Sequence, residues 1–144
     1  MANILVIDDE ECIRESFKLV LEPENSVDTA NGGEEGIAKA TMNPPDIIFL
    51  DLKMPGMGGV ETLIHLQVIC VGIPTFIMTG FCDEHMLKLE KVKAKGCLFE
   101  VCHKPMDSKQ IKLIVESALE GHASCSSRIG EKTAARTKAL LTVT

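Results

Sequence analysis

The chain has 144 residues, 45% hydrophobic and 25% charged, which is the length of a single domain with enough apolar material for a real core. It has no Trp, no Tyr and five Phe, so an aromatic platform for stacking single-stranded nucleic acid is nearly excluded, and the net charge of -6 also opposes a nucleic-acid surface. The charge is uneven: residues 1–122 hold 11 Lys+Arg and 20 Asp+Glu, net -9, while residues 123–144 hold 4 and 1, net +3.

Ile4 to Ile7 is a short apolar run ending in Asp8-Asp9-Glu10-Glu11, which reads as a buried strand followed by the acid-rich first turn of a helix. From Glu11 the residues Ile13, Phe17, Val20 and Leu21 share one helical face, and Pro23 stops the pattern. Val27 begins a short second strand. Asn31-Gly32 signals a turn, and Ile37, Ala38 and Met42 sit on a weaker helix that ends at Asn43-Pro44-Pro45.

The run Asp46 to Leu50 is continuously apolar after its first residue and too short for a helix, so it reads as a central parallel strand buried on both faces. Met54-Pro55-Gly56 then breaks it, because proline fixes its own φ and glycine supplies positive φ. Asp51 is thereby left at a strand's C-terminal edge, where ligands bind in open α/β sheets. Gly58-Gly59 leads into a helix with Val60, Leu63, Ile64, Gln67 and Val68 at helical spacing, ended by Gly72-Ile73-Pro74.

Thr75 to Met78 makes a fourth strand closed by Thr79-Gly80. A polar helix runs from about Asp83 to Lys95, with Met86, Leu89 and Val92 inward and Gly96 as C-cap. Leu98 to Val101 is a fifth strand, ending near Lys104-Pro105. Asp107 or Ser108 caps a last helix whose Ile111, Ile114, Val115, Ala118 and Leu119 form a stripe up to Gly121. Strands alternating with helices five times over short connections imply an α/β fold, a doubly wound parallel sheet with helices on both faces.

The domain boundary falls at residue 122. Residues 123–144 read as a linker or tail, a frayed or disordered segment, the stub of a removed domain or vector-derived residues. Six scattered cysteines, Cys12, Cys70, Cys82, Cys97, Cys102 and Cys125, contain no Cys-x-x-Cys pair and read as reduced thiols, mostly small buried hydrophobes of a cytoplasmic protein. The N-terminus lacks the basic start of a secretory leader, and no apolar run reaches membrane-spanning length. His65, His85, His103 and His122 show no metal-ligand spacing and read as surface or packing residues.

On such a sheet Asp8 and Asp9 follow strand one, Asp51 ends strand three, Thr79 ends strand four and Lys104 ends strand five. All five then lie at one edge. Acids after a strand are often only a helix cap, but three crowded carboxylates repel unless a cation sits among them. Hard oxygen ligands with few protein contacts suit Mg2+. Such a metal could hold a phosphoryl donor against Asp51, with the Lys104 ammonium and the Thr79 hydroxyl meeting the charge of the transferred group.

Asp8-Asp9, Asp51-Leu52-Lys53-Met54-Pro55-Gly56, Thr79-Gly80 and Lys104-Pro105, in this order at fitting strand ends, resemble the receiver domain of bacterial two-component response regulators over roughly residues 3–121. The resemblance implies a flavodoxin-like five-stranded sheet in the order 2-1-3-4-5. It implies that Asp51 accepts phosphate from a histidine kinase or phosphotransfer protein, that Asp8, Asp9, Asp51 and the Lys53 backbone carbonyl serve Mg2+, and that Thr79 and Lys104 read the acyl phosphate. The chain is then a signalling switch rather than an enzyme, catalysing only its own phosphotransfer and autodephosphorylation, at a rate tuned by Lys53 and Phe81.

Three positions depart from the family. Gly58 stands where Asp is common, the segment Gly96 to Lys104 is about one residue longer than usual, and Val101 occupies the place of an aromatic switch residue. Phe99 shares its strand parity and is the candidate substitute. The stretch after Gly121 is too short for an output domain, so the receiver either stands alone or belongs to a longer regulator. The Gly80-Phe81 neighbourhood is similar to regulators that activate transcription through enhancers. Expected partners are the kinase and a downstream effector or output domain, with a homodimer through the fourth helix, fifth strand and fifth helix; neither nucleic acid nor membrane is expected. Two alternatives stay open. One is a haloacid-dehalogenase-like phosphatase, whose nucleophile belongs on the first strand and which would release phosphate in many turnovers. The other is a degenerate receiver that binds without phosphorylation.

Overall fold

The computed structural model describes residues 2–80 and 86–124, with side chains as far as residue 120. In chain order the elements are β1 (Asn3–Ile7), α1 (Glu11–Leu21), β2 (Ser26–Ala30), α2 (Gly33–Met42), β3 (Ile47–Asp51), α3 (Gly59–Ile69), β4 (Thr75–Thr79), α4 (Met86–Ala94), β5 (Glu100–His103) and α5 (Ser108–Ser124). The strands form one parallel sheet in the order β2-β1-β3-β4-β5. Among the described residues no helix is long and apolar enough to cross a membrane.

Strand parity divides the core in two. Leu5, Ile7, Ile48, Leu50 and Ile77 face Ala40 of α2, Leu63 and Leu66 of α3, and Leu89 and Val92 of α4. Their neighbours Ile4, Val6, Ile47, Phe49, Phe76 and Met78 face Phe17 and Leu21 of α1 and Ile111 and Val115 of α5. Every residue of β3 and β4 is buried, as continuous apolar strands covered on both faces must be. The rings of Phe17, Phe49 and Phe76 run through the second layer at centroid separations of 4.8 and 5.4 Å.

Several expected caps are present. Gly96 has φ +99 and follows α4, donating its N–H to the Lys93 carbonyl at 3.0 Å while the Cys97 N–H donates to the Val92 carbonyl at 3.3 Å, the two hydrogen bonds of a Schellman turn. Asp107 caps α5 through a reciprocal pair: Gln110 N–H to Asp107 Oδ1 at 2.8 Å and Asp107 N–H to Gln110 Oε1 at 2.9 Å.

Two element bounds need correction, and the structure settles two helix faces that the spacing left open. β5 begins at Glu100 rather than Leu98, because the Leu98 N–H is taken by Gln67 Oε1 at 3.1 Å and cannot open the ladder. On α3, Ile64 and Val68 face outward, 45% and 73% exposed, while Leu63, Leu66 and Gln67 face inward. A helix apolar nearly all round does not announce its buried side. Met42 is 88% exposed on α2, whose inner face is made of small residues, Gly36 and Ala40. Finally α5 continues through Gly121 to Ser124, since one helical glycine costs only about 1 kcal/mol and does not end a helix. The expected start of the fourth helix near Asp83 lies outside the described residues.

Gly59 draws α3 against the end of β3. A Cβ there would meet the Asp51 carbonyl oxygen at 2.5 Å and Leu52 Cα at 2.6 Å, both backbone atoms that cannot rotate away, whereas a Cβ on Gly58 meets nothing within 4 Å. Gly59→Ala is therefore expected to lower unfolding stability by about 2 kcal/mol or more, against a change within about 0.5 kcal/mol for Gly58→Ala, as read from urea midpoints. Equal midpoints for the two variants would contradict this packing.

Candidate functional site

Five side chains meet at the C-terminal edge of the sheet because each follows or ends a strand there. Asp8 comes directly after β1: its N–H extends the ladder to the Ala30 carbonyl at 3.1 Å, and its side chain is 0% exposed. Its Oδ1 accepts the Glu10 N–H at 2.9 Å, and its carbonyl accepts Arg14 Nη1 at 2.8 Å. Asp51 is the last residue of β3 and is 4% exposed. The chain turns away from it as expected, with Gly56 at φ +75, and Leu52 stays bound to the Met78 carbonyl at 2.9 Å.

Thr79 ends β4, buried, with its hydroxyl donating to the Gly80 carbonyl at 3.1 Å. Lys104 follows β5, and its N–H reaches the Thr79 carbonyl at 2.7 Å. This tie sets the height of the lysine on the edge. Its Nζ then lies 2.9 Å from Asp8 Oδ2 and 3.2 Å from Asp51 Oδ1, bridging two strands from a third. The peptide bond to Pro105 is cis.

Burial is the largest influence on Asp51, and with the negative charge of Asp8 it outweighs the pull of Lys104, so its carboxyl is pushed up to about 7. Asp9, hydrogen-bonded to Asp51, adds to the rise. For Lys104 burial disfavours the charged form, but the bonds and charges of Asp8 and Asp51 prevail and hold the ammonium above its ordinary value. The site is thus three carboxylates around a single described ammonium, two of them nearly out of water.

Asp8, Asp9 and Glu10 each offer a carboxylate oxygen within 4.8 Å of the others, a grouping able to hold a metal ion. Hard, negatively charged oxygens short of compensating cations are the donor set that Mg2+ takes. Glu10 was not expected among them. Its place in an acidic run made it look like one more helix-start acid, while its N–H is bound to Asp8 Oδ1 and its carboxylate lies near those of Asp8 and Asp9. Lys53 is exposed two residues past Asp51, with its N–H 3.4 Å from Asp51 Oδ1.

Phe99 and Val101 are half-buried and pack against the same apolar layer as α3 and α4, in keeping with their shared parity, and Lys93 Nζ lies 6.0 Å from the Phe99 ring centre. Phe81 lies outside the described residues, as do Cys82, Cys125, His85 and the side chain of His122. Cys70 and Cys97 are buried and burial pushes their thiols up, as expected of small hydrophobes. Cys12 is exposed instead, because it lies on the outer face of the first turn of α1, and Cys102 is intermediate. His65 and His103 are at the surface.

The family model described as the response regulator receiver domain matches residues 4–116. Among curated proteins, the chain is 40% identical over 79 residues to the cell cycle response regulator CtrA of Brucella ovis, a match covering 54% of this chain and 34% of that one. It therefore spans about a third of the length of such relatives. Among solved structures, a response regulator receiver domain protein from Clostridium thermocellum superposes with TM-score 0.73 and 31% identity, covering 85% of this chain and 98% of that one. The chemotaxis protein CheY4 of Vibrio cholerae gives TM-score 0.70 and 27% identity over 82% and 98% of the respective chains. With this sheet order and this match along most of its length, the chain belongs to the response regulator receiver domain family of two-component systems.

Proposed function

We propose that this receiver accepts a phosphoryl group on Asp51 from a phosphohistidine of a sensor kinase or phosphotransfer protein, and that the modified edge alters a protein-binding surface. The observation that carries the reading is the Lys104 bridge, with a half-buried lysine whose Nζ lies 2.9 Å from Asp8 and 3.2 Å from Asp51 at the end of the central strand. Lys104 is placed to meet a phosphoryl oxygen arriving at Asp51. Thr79, one strand over, offers a hydroxyl that can turn from the Gly80 carbonyl toward the same group. In the transfer an Asp51 oxygen forms the new O–P bond as the P–N bond of the donor breaks, and the released imidazole takes a proton.

Asp8, Asp9, Asp51 and the Lys53 backbone carbonyl would hold Mg2+. When bound, the ion neutralises charge on the phosphoryl oxygens and aligns the donor. Autodephosphorylation at a rate tuned by Lys53 and Phe81 belongs to the same reading, as does a cytoplasmic location. Phe99 and Val101, packed beneath α4, are the candidates to carry the change outward, to an effector, an attached output domain or a second copy across α4, β5 and α5. The domain division at residue 122 also stands as a proposal, with residues 123–144 as linker or tail.

Incubation with Mg2+ and acetyl phosphate is expected to add one phosphoryl group to the intact mass of the wild type, and none to Asp51→Asn or to a chelated control. An adduct on Asp51→Asn would move the acceptor elsewhere.

Asp51 also makes stability depend on pH. An unfolded aspartate titrates at about 3.9, while the folded carboxyl is raised to about 7. Between these values the fold keeps a proton that the unfolded chain has released, so stability falls as pH rises through the window. In chelated buffer Asp51→Asn is therefore expected to exceed the wild type by on the order of 1–2 kcal/mol at pH 8 and to lose the advantage toward pH 4. Added Mg2+ should raise the wild-type melting temperature more than that of the variant; melting curves at the two pH values with and without the ion check both points.

A further inference from the structure

We infer that Asp28 and Lys39 together close the β2 edge of the sheet, so that an extended strand, above all β2 of a second copy of this chain, cannot add to it. The inference stands apart from the phosphoryl reading, since β2 is the outermost strand on the side away from Lys104. β2 has β1 as its one neighbour in the sheet. A strand so placed turns a row of main-chain N–H and C=O groups outward, a template for strand addition.

The pairing shows which groups these are. Ser26 donates its N–H to the Ala2 carbonyl at 2.8 Å, and the Ala30 carbonyl accepts from Asp8 at 3.1 Å. The parallel register runs unbroken from Asn3 opposite Ser26 to Ile7 opposite Ala30. Ser26, Asp28 and Ala30 therefore turn their main-chain groups to β1, and Val27 and Thr29 turn theirs outward.

Thr29 is taken on both of its outward groups. Its N–H donates to Asp28 Oδ1 at 2.9 Å, and its carbonyl accepts from Lys39 Nζ of α2. The same Nζ lies 3.0 Å from Asp28 Oδ1 and 3.3 Å from Glu35 Oε1, one turn earlier on α2. A carboxylate thus covers the donor, an ammonium covers the acceptor, and an ion pair joins the two. With side chains 36% and 58% exposed, that pair contributes little to stability. What it does is occupy the groups that a new strand would need.

Asp28 opposes addition in a second way. Two copies of β2 laid antiparallel would pair Val27 of each with Thr29 of the other, exchanging about four main-chain hydrogen bonds. That two-fold register sets the two Asp28 residues directly opposite, their Cα atoms about 4.5 Å apart, where like charges are destabilising. Removing Asp28 frees the Thr29 N–H, lifts the repulsion and takes from Lys39 the partner that holds it over the Thr29 carbonyl.

Sedimentation equilibrium of the full unphosphorylated chain is the test, with Asp28→Ala/Lys39→Met as the opened edge. Methionine keeps an unbranched apolar stem without the charge. The double variant is expected to self-associate at least about tenfold more tightly than the wild type, and Lys39→Met alone, which frees only the carbonyl, about threefold. Glu35→Ala leaves Thr29 covered and should change association by less than about twofold, the effect of a screened surface charge. Adding Thr29→Pro to the double variant removes the outward N–H without taking a bond from the β1-β2 ladder, and is expected to return association to the wild-type level. A double variant that associates no more than the wild type overturns the inference. So does association that survives Thr29→Pro, which puts the contact on another surface. Melting midpoints of the double variant and of Lys39→Met are expected within about 5 °C of the wild type, since an exposed pair is lost. If the double variant melts far lower, Lys39→Met decides alone, and wild-type association in that variant overturns the inference.

Discussion

Two aspartates buried side by side at the end of a parallel sheet would normally expel each other's charge, and here a lysine from a third strand lies between them. Asp8 and Asp51 are nearly sealed from water, and Lys104 is within salt-bridge distance of both. Such a cluster contributes little net stability, because desolvation offsets most of the attraction. What it supplies is a poised imbalance. One ammonium does not balance Asp8, Asp9 and Asp51, and burial first and then the charge of Asp8 keep the Asp51 carboxyl raised in spite of Lys104. The described side chains of the edge therefore carry more negative than positive charge in a site largely shielded from water.

Everything that fixes this edge is backbone geometry. The Asp8 N–H continues the β1-β2 ladder, Leu52 continues β3 against β4, and Lys104 continues β5 against β4, so three strand pairings set three side chains at matching heights. Gly59 then lets the start of α3 rest on the peptide after Asp51, which a side chain would prevent. The apolar layers on both faces hold the strands in register, and rigidity at the edge follows from burial far from it. A site on strand ends is in this sense more precise than one on free loops.

Thr79 at the end of β4 lies opposite His103 in register, and Val101 lies opposite Ile77 two residues earlier. Phe99 stands just before that strand, between the apolar layer and Lys93 of α4. Gln67, buried on α3, holds the neighbouring Leu98 by its N–H. The approach to β5 is thus held on both sides before Lys104 takes its place at the edge.

Much of this was legible in the sequence because strand and helix periods, glycine and proline positions and cap residues are local features. The alternating elements, the turn after Asp51, Gly96 and Asp107 as caps, and Asp8, Asp51, Thr79 and Lys104 at strand ends needed only neighbours in the chain to be read. The inner faces of α2 and α3, the two-residue displacement of β5 and the continuation of α5 to Ser124 did not follow, since each depends on a partner distant in sequence: Ile7 against Gly36, Gln67 against Leu98. Glu10 belongs to the same class, as its run of acids is equally a helix start. The sequence by itself determined which residues carry charge and which strand each one ends. Only the tertiary structure decided which carboxylates share a cation, because that depends on distances and desolvation created when separate strands are brought side by side.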